Sequence, residues 1–382
     1  MGFSSEEKLT RLSEAARFDL SCACGAGDAA RRRDPADPMY KWIYPAALPD
    51  GGTLPVLKVL LTNLCFNKCR YCAVCTRKDS GAVSFVPDEL ALLFMQMVSG
   101  RLARGLFLSS GTGKDAARTM DAIISTADIL RSRYRFAGYI HLKILPGAEY
   151  AQIEKALQLA NRVSINLEAP NSKRLDSIAD GKNFVDIIRK IKNIDDIIRD
   201  NPARRRSQTT QFVVGAAGES DREILTTTKT LYSDYNMSRT YYSAFQPAED
   251  TSLDGCKPVP LIREHRLYQA DFLFRKYGFE FGEIVFDGSG NLPLNRDPKT
   301  LWAVSHPEEF PLEVNRACPE KLLRVPGIGP VAARRIVAMR KKNRFSELRE
   351  LKSTGMRIEQ AREFLLVNGR FFPRPRQLEL VL

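Results

Sequence analysis

From Leu57 onward the chain repeats one pattern, and no other feature restricts its fold as much. Short apolar runs rich in β-branched residues alternate with longer segments of helical periodicity. The strand-length runs are Leu57–Leu64, Gly105–Ser110, Tyr139–Leu145, Arg162–Leu167, Thr209–Val214 and Thr240–Phe245. Helical patterns fill 87–103, 115–133, 149–160, 182–200 and 220–235. Strands joined through helices run parallel, since a tight turn cannot connect parallel neighbours. Six such steps predict an α/β fold whose parallel sheet curls or closes, with helices outside. In such folds chemistry sits at the C-terminal strand ends.

The flanks read differently. Residues 1–50 form a leader, one short helix and then a loop holding Cys22, Cys24 and the run Arg31-Arg32-Arg33. Residues 51–250 carry the βα rhythm, and 251–313 read as a linker with a helical extension at Leu261–Tyr277. On that helix Glu264, Tyr268 and Asp271 share a face. Residues 314–370 read as all-helical, and 371–382 as a tail. The start Met1–Lys8 lacks a secretory pattern, and no apolar run approaches the roughly 20 residues of a membrane span. A cytoplasmic protein without a membrane role is expected. There thiols stay reduced, so the eight cysteines of this 382-residue chain call for a reason other than disulfides.

That reason begins directly after the first strand, with Cys65-Phe66-Asn67-Lys68-Cys69-Arg70-Tyr71-Cys72. Three thiolates on one loop at a strand's C-terminal end suit a [4Fe-4S] cluster and leave one iron open. Zinc is the competing reading, with Cys75 as a fourth ligand. A chance group of core cysteines is the third. A second cluster on Cys22, Cys24 and Cys75 would have only three ligands without regular spacing.

The CxxxCxxC loop after the first of six βα steps resembles the radical S-adenosylmethionine (SAM) superfamily over about residues 55–250. The resemblance implies a partial (β/α)6 barrel. Cys65, Cys69 and Cys72 match the cluster ligands, and Tyr71 matches an aromatic near the adenine. It implies SAM bound at the open iron and cleaved reductively to a 5′-deoxyadenosyl radical. Ser109, Ser110 and Gly111 stand where the family often has Gly-Gly-Glu, whose backbone binds the SAM amino group. No Glu is present here, and a plain turn reads equally well. Ser164 and Asn166 match polar contacts to ribose and carboxylate, and Glu168 follows with the same facing, because side chains alternate along a strand. The exit Gly215-Ala216-Ala217-Gly218-Glu219 resembles a family pattern near the adenine, without its first Gly. His141 and Lys143 face one way, toward substrate or as ordinary core. The family also implies an electron donor such as flavodoxin or ferredoxin.

The formal charge is +13, and ten of those charges fall from Arg316 onward, where sixteen Lys and Arg face six Asp and Glu. Within that block Leu322–Val337 contains Val325-Pro326-Gly327-Ile328-Gly329 and resembles a helix-hairpin-helix. Gly327 and Gly329 permit a tight turn, and the helix it opens presents unpaired N–H groups to a phosphate. Arg334, Arg335, Arg340, Lys341 and Lys342 add charge for the neighbouring backbone. A second unit, with Gly355 alone, is degenerate. The whole chain further resembles a narrower group of radical SAM proteins with this C-terminal domain, grouped with DNA modification or repair. LKVLLTNLC (57–65), GYIHLKILPG (138–147), REHRLYQADF (263–272) and the VPGIG turn carry that likeness. DNA is the expected partner. RNA modification and a non-catalytic, metal-containing DNA binder are the alternatives.

Overall fold

The computed structural model describes residues 3–16, 42–47, 52–76 and 82–373. Cys22, Cys24 and Arg31-Arg32-Arg33 lie outside the described residues, as do the Cys75 side chain and positions 374–382. Two compact units are present: Met1–Glu219 with Thr230–Pro260, and Ser220–Lys229 with Leu261–Leu382.

The first unit is built on a seven-stranded sheet. In chain order the strands of the unit are β1 (Ile43–Ala47), β2 (Thr53–Leu60), β3 (Lys68–Cys69), β4 (Gly105–Ser109), β5 (Tyr139–Lys143), β6 (Arg162–Ser164), β7 (Ala179–Asp180), β8 (Ser207–Val214) and β9 (Arg239–Ala244). The large sheet has the order β1-β2-β4-β5-β6-β8-β9, and β3 pairs with β7 separately. From β2 to β9 every pairing is parallel. The six expected strands thus form one curled sheet, a partial barrel.

Register gives the sheet two different faces. Leu57, Leu106 and Ile140 align across neighbouring strands, as do Val59, Leu108, Leu142 and Val163. All seven are fully buried. Each such aliphatic contributes about 1.5–3 kcal/mol on burial. The opposite face mixes polar groups with Phe107: Lys58, Phe107 and His141 align in one row, and Lys143, Ser164, Thr209 and Arg239 in another. The connecting helix Ala116–Ser132 begins where Asp115 accepts from the Ala117 and Arg118 amides, a side-chain cap.

β1 departs from the sequence reading, which has a loop there. It lies antiparallel on the edge of β2, with Pro45 opposite Pro55. Proline lacks a ladder donor, so its presence argues against a strand everywhere except at an edge.

In the second unit Asp221 is fully buried, accepting from Arg263 Nε at 2.7 Å and from the Leu292 amide at 2.9 Å. The expected helix forms over Leu261–Tyr277, and its buried Asp271 pairs with Arg275 at 2.5 Å. Asp271 is therefore bonded within its own helix. Helices Pro319–Arg324 and Pro330–Arg340 follow, closing around Val325, Ile328, Ala332, Ala333, Ile336 and Leu351. The all-helical reading of 314–370 needs one correction. Three short strands, β10 (Leu312–Glu313), β11 (Leu365–Val367) and β12 (Arg370–Phe371), form a small sheet at the ends of this block. Asn368 and Gly369 have φ of 51° and 76° and join Val367 to Arg370. Two consecutive positive φ values make the two-residue turn that hairpins favour.

Candidate active site

The three loop cysteines follow β2 and are held from both sides. Cys65 and Cys69 are buried, Cys72 is half-buried, and none is in a disulfide. On one side the loop rests against the exit of β4. Gly111 N donates to Thr62 O at 2.8 Å and Gly113 N to Leu64 O at 3.0 Å. Asn67 Nδ2 donates to Thr112 Oγ1 at 2.6 Å. A Cβ on Gly111 would collide with the Leu64 carbonyl oxygen. The glycine is thus required by the close approach of the cysteine loop, and its amide is engaged there. On the other side β3 pairs antiparallel with β7, setting Cys69 opposite Ala179. Arg70 N extends that ladder to Ile178 O at 2.8 Å.

Cys65, Cys69 and Cys72 supply three free thiols from one loop, the donor type that a [4Fe-4S] cluster takes, one on each of three irons. Ser110 Oγ is buried at the end of β4 without a hydrogen-bond partner. Such a hydroxyl is normally satisfied by something bound. Ser109 is buried beside it, and its carbonyl accepts from Leu61 N at 2.8 Å.

Glu168 lies at the site by a route the strand alternation does not describe. β6 ends at Ser164, and Glu168 has φ 66°, a left-handed value that is strained for any residue but glycine. Its carboxylate accepts from Lys182 Nζ at 2.9 Å, with both side chains under 10% exposed (9% and 6%). Tyr71 is hydrogen-bonded to the same carboxylate, and burial, then Glu168, Cys69 and Cys72, push its phenol well above the ordinary range. Burial opposes the charge on Lys182, but Cys69, then Glu168 and Cys72, outweigh it and raise its pKa. Lys182 is not among the site residues expected from sequence. Its position becomes visible only once β7 pairs with the cysteine loop.

The remaining expected positions divide by what engages them. Ser164 Oγ is 2.9 Å from His141 Nε2, and the imidazole packs on Phe107 with centroids 4.4 Å apart. Both residues are fully buried, which is the core reading of His141. Asn166 Oδ1 accepts from Lys143 Nζ. Gly215 adopts φ 87°, and Glu219 accepts from its amide and, at 3.1 Å, from that of Ala217. The Glu219 carboxylate therefore closes this turn.

In the second unit the Val325–Gly329 turn has the geometry its glycines imply. Gly327 has φ 82°, and a Cβ there would meet Arg357 O at 2.5 Å. Arg357 N in turn donates to Gly327 O at 2.9 Å, joining the first hairpin to the second. Gly329 is the N-cap of Pro330–Arg340, and no side chain caps that end. Lys299 Nζ donates to Ile328 O at 2.5 Å from beneath the turn. Arg334, Arg335, Lys341 and Lys342 are exposed. Arg335 Nη1 also reaches Thr354 O at 3.3 Å. Arg340 is engaged in part within its own domain. Its Nη1 donates to Val314 O at 2.8 Å and Ala317 O at 2.6 Å, so it braces the domain.

Burial pushes the Lys299 ammonium down to about 7, with Asp297 opposing and Arg324 assisting. An unfolded lysine, near 10.4, binds more protons than the native one across that window. Stability should therefore rise with pH between about 7 and 10, by up to about 1.4 kcal/mol per pH unit from this group. Thermal unfolding of the wild type and Lys299→Met at pH 7.5 and 9.5 checks this. The wild type should gain relative to the variant at the higher pH; equal slopes would contradict it.

A family model described as the Radical SAM superfamily matches residues 59–231, and one for the helix-hairpin-helix motif matches 310–365. A search of curated proteins returned no match. Among solved structures the chain is similar to HydG, a maturase of the [FeFe]-hydrogenase, at 12% identity and TM-score 0.45, covering 56% of this chain and 48% of that one. It is similar to methylornithine synthase at 13% and 0.46, covering 56% and 60%. A radical SAM methyltransferase from Sphaerobacter thermophilus gives 12% and 0.43, covering 58% and 67%. The chain thus spans about half to three-fifths of the length of the first two. All three loop cysteines fall inside the matched segment, so residues 59–231 are a radical SAM domain, and the enzymes of that superfamily use a [4Fe-4S] cluster and SAM.

Proposed function

We propose that this enzyme acts on a nucleic acid, with DNA as substrate, in modification or repair. The observation that carries the proposal is the helix-hairpin-helix in the same chain as the radical SAM domain. The uncapped start of Pro330–Arg340 offers backbone N–H groups to a phosphate, and Arg334, Arg335, Lys341 and Lys342 surround it with positive charge. These contacts would hold the strand without reading its sequence. Cys65, Cys69 and Cys72 would hold the cluster, which when bound would supply the electron for reductive cleavage of SAM. Tyr71, Ser110 and Asn166 would orient SAM, and Gly215 would shape the turn near its adenine. The polar face of the sheet, with Lys143 and Ser164, would receive the target nucleotide. A base within duplex has to leave the stack to reach such a site. The electron comes from a small donor of the flavodoxin or ferredoxin kind. We place the enzyme in the cytoplasm; no helix among the described residues is long and apolar enough to cross a membrane.

The test is anaerobic. Reconstituted protein receives SAM and dithionite, and 5′-deoxyadenosine is measured alone, with duplex DNA and with structured RNA. Stimulation by DNA is expected. Stimulation by RNA alone would transfer the assignment to RNA, and indifference to both would remove the nucleic acid. Alanine at Arg334, Arg335, Lys341 and Lys342 together should weaken DNA binding. It should also lower the salt dependence of log K by roughly 0.9 for each phosphate that is no longer neutralised.

A further inference from the structure

We infer that Lys182 raises the reduction potential of the cluster held by Cys65, Cys69 and Cys72, with Glu168 keeping it in place. The inference rests on the cofactor assignment above. Two geometric observations converge on it. The turn after β7 carries Lys182 back toward the loop: Lys182 N donates to Ala179 O at 3.0 Å, and Ala179 is the ladder partner of Cys69. Its side chain is 9% exposed and paired with Glu168 at 2.9 Å, so water screens its charge poorly. The raised pKa of Lys182, with Cys69 and Cys72 among its causes, agrees with that placement.

The physical effect has a definite sign. Reduction takes one electron from a low-potential donor and carries the cluster from the 2+ to the 1+ state, adding one negative charge. A fixed cation beside the cysteine loop favours the more negative state. Glu168 opposes this with its own charge, yet it holds Lys182 at 2.9 Å. Glu168, at φ 66°, has its carboxylate on both Tyr71 and Lys182. Strain that persists at a site is maintained by the surrounding contacts.

The experiment is an EPR-monitored redox titration of full-length protein, reconstituted anaerobically with iron and sulfide. Wild type, Lys182→Met, Lys182→Arg and Glu168→Gln are compared at equal iron content. At the potential where the wild type is half reduced, Lys182→Met should lower the reduced-to-oxidised ratio at least tenfold, which is 59 mV for one electron. Lys182→Arg should stay within threefold of wild type. Glu168→Gln should raise the ratio, because it removes a negative charge and retains a hydrogen-bond acceptor. A fully loaded Lys182→Met with an unchanged ratio overturns the inference, as does Lys182→Arg shifting as far as Lys182→Met. If Lys182→Met cannot retain iron, Glu168→Gln decides, and an unchanged ratio there overturns it. Wild-type protein that binds no cluster would instead defeat the cofactor assignment, and its iron and sulfide content identifies that case directly.

Discussion

Alanine at any one of Cys65, Cys69 or Cys72 should abolish 5′-deoxyadenosine formation and leave purified protein with little or no [4Fe-4S] cluster. Each thiol lies on a short loop fixed by β3 and by the exit of β4. His141 is buried against Phe107, and the Glu168 carboxylate is paired with Lys182. Alanine at Cys256 or Cys318, both exposed, should change neither iron content nor product. Iron and sulfide assays with product quantification read all five variants. A Cys72→Ala protein that keeps a full cluster would remove Cys72 from the ligand set.

Gly327→Ala should destabilise the C-terminal unit by about 3 kcal/mol and weaken DNA binding with it. Two costs combine. A non-glycine residue at φ 82° loses about 1–2 kcal/mol in the left-handed region. The added methyl would also stand 2.5 Å from the Arg357 carbonyl, a backbone atom, and overpacking of this kind costs about 1–3 kcal/mol. Displacing Arg357 disturbs the hydrogen bond that links the two hairpins. Urea unfolding gives the stability change, and DNA titration gives the affinity. A loss below about 0.5 kcal/mol, the usual range for surface changes, would show that the turn relaxes freely.

Much of the fold was legible because period and length speak plainly. The runs beginning at Leu57, Gly105, Tyr139, Arg162, Thr209 and Thr240 became neighbouring parallel strands, and the Cys65–Cys72 loop fell where their ends meet. β1 escaped because Pro45 interrupts a short run, and only its place at an edge makes the proline tolerable. The β11–β12 hairpin carried a readable signal in Asn368-Gly369 that the surrounding helical pattern concealed. At the site, alternation holds only while a strand continues. β6 stops at Ser164, and Glu168 is held instead by its bridge to Phe212 of β8, with φ 66° and its carboxylate on Lys182. Arg340 shows a similar limit: charge is visible in a sequence, but the bonds of its Nη1 to the carbonyls of Val314 and Ala317 are not.

The short strand at the sheet's margin has a consequence for solubility. Without β1, the outermost strand would be β2, whose Val56, Leu57, Val59 and Leu60 are all buried. An open row of backbone donors and acceptors on so apolar a strand invites another chain to pair with it. β1 covers that row, and Pro45 leaves a missing donor in the new margin. Five residues ahead of the βα repeat therefore act as a guard against intermolecular strand addition, a protection that concerns the crowded cell more than the chemistry at the cysteines.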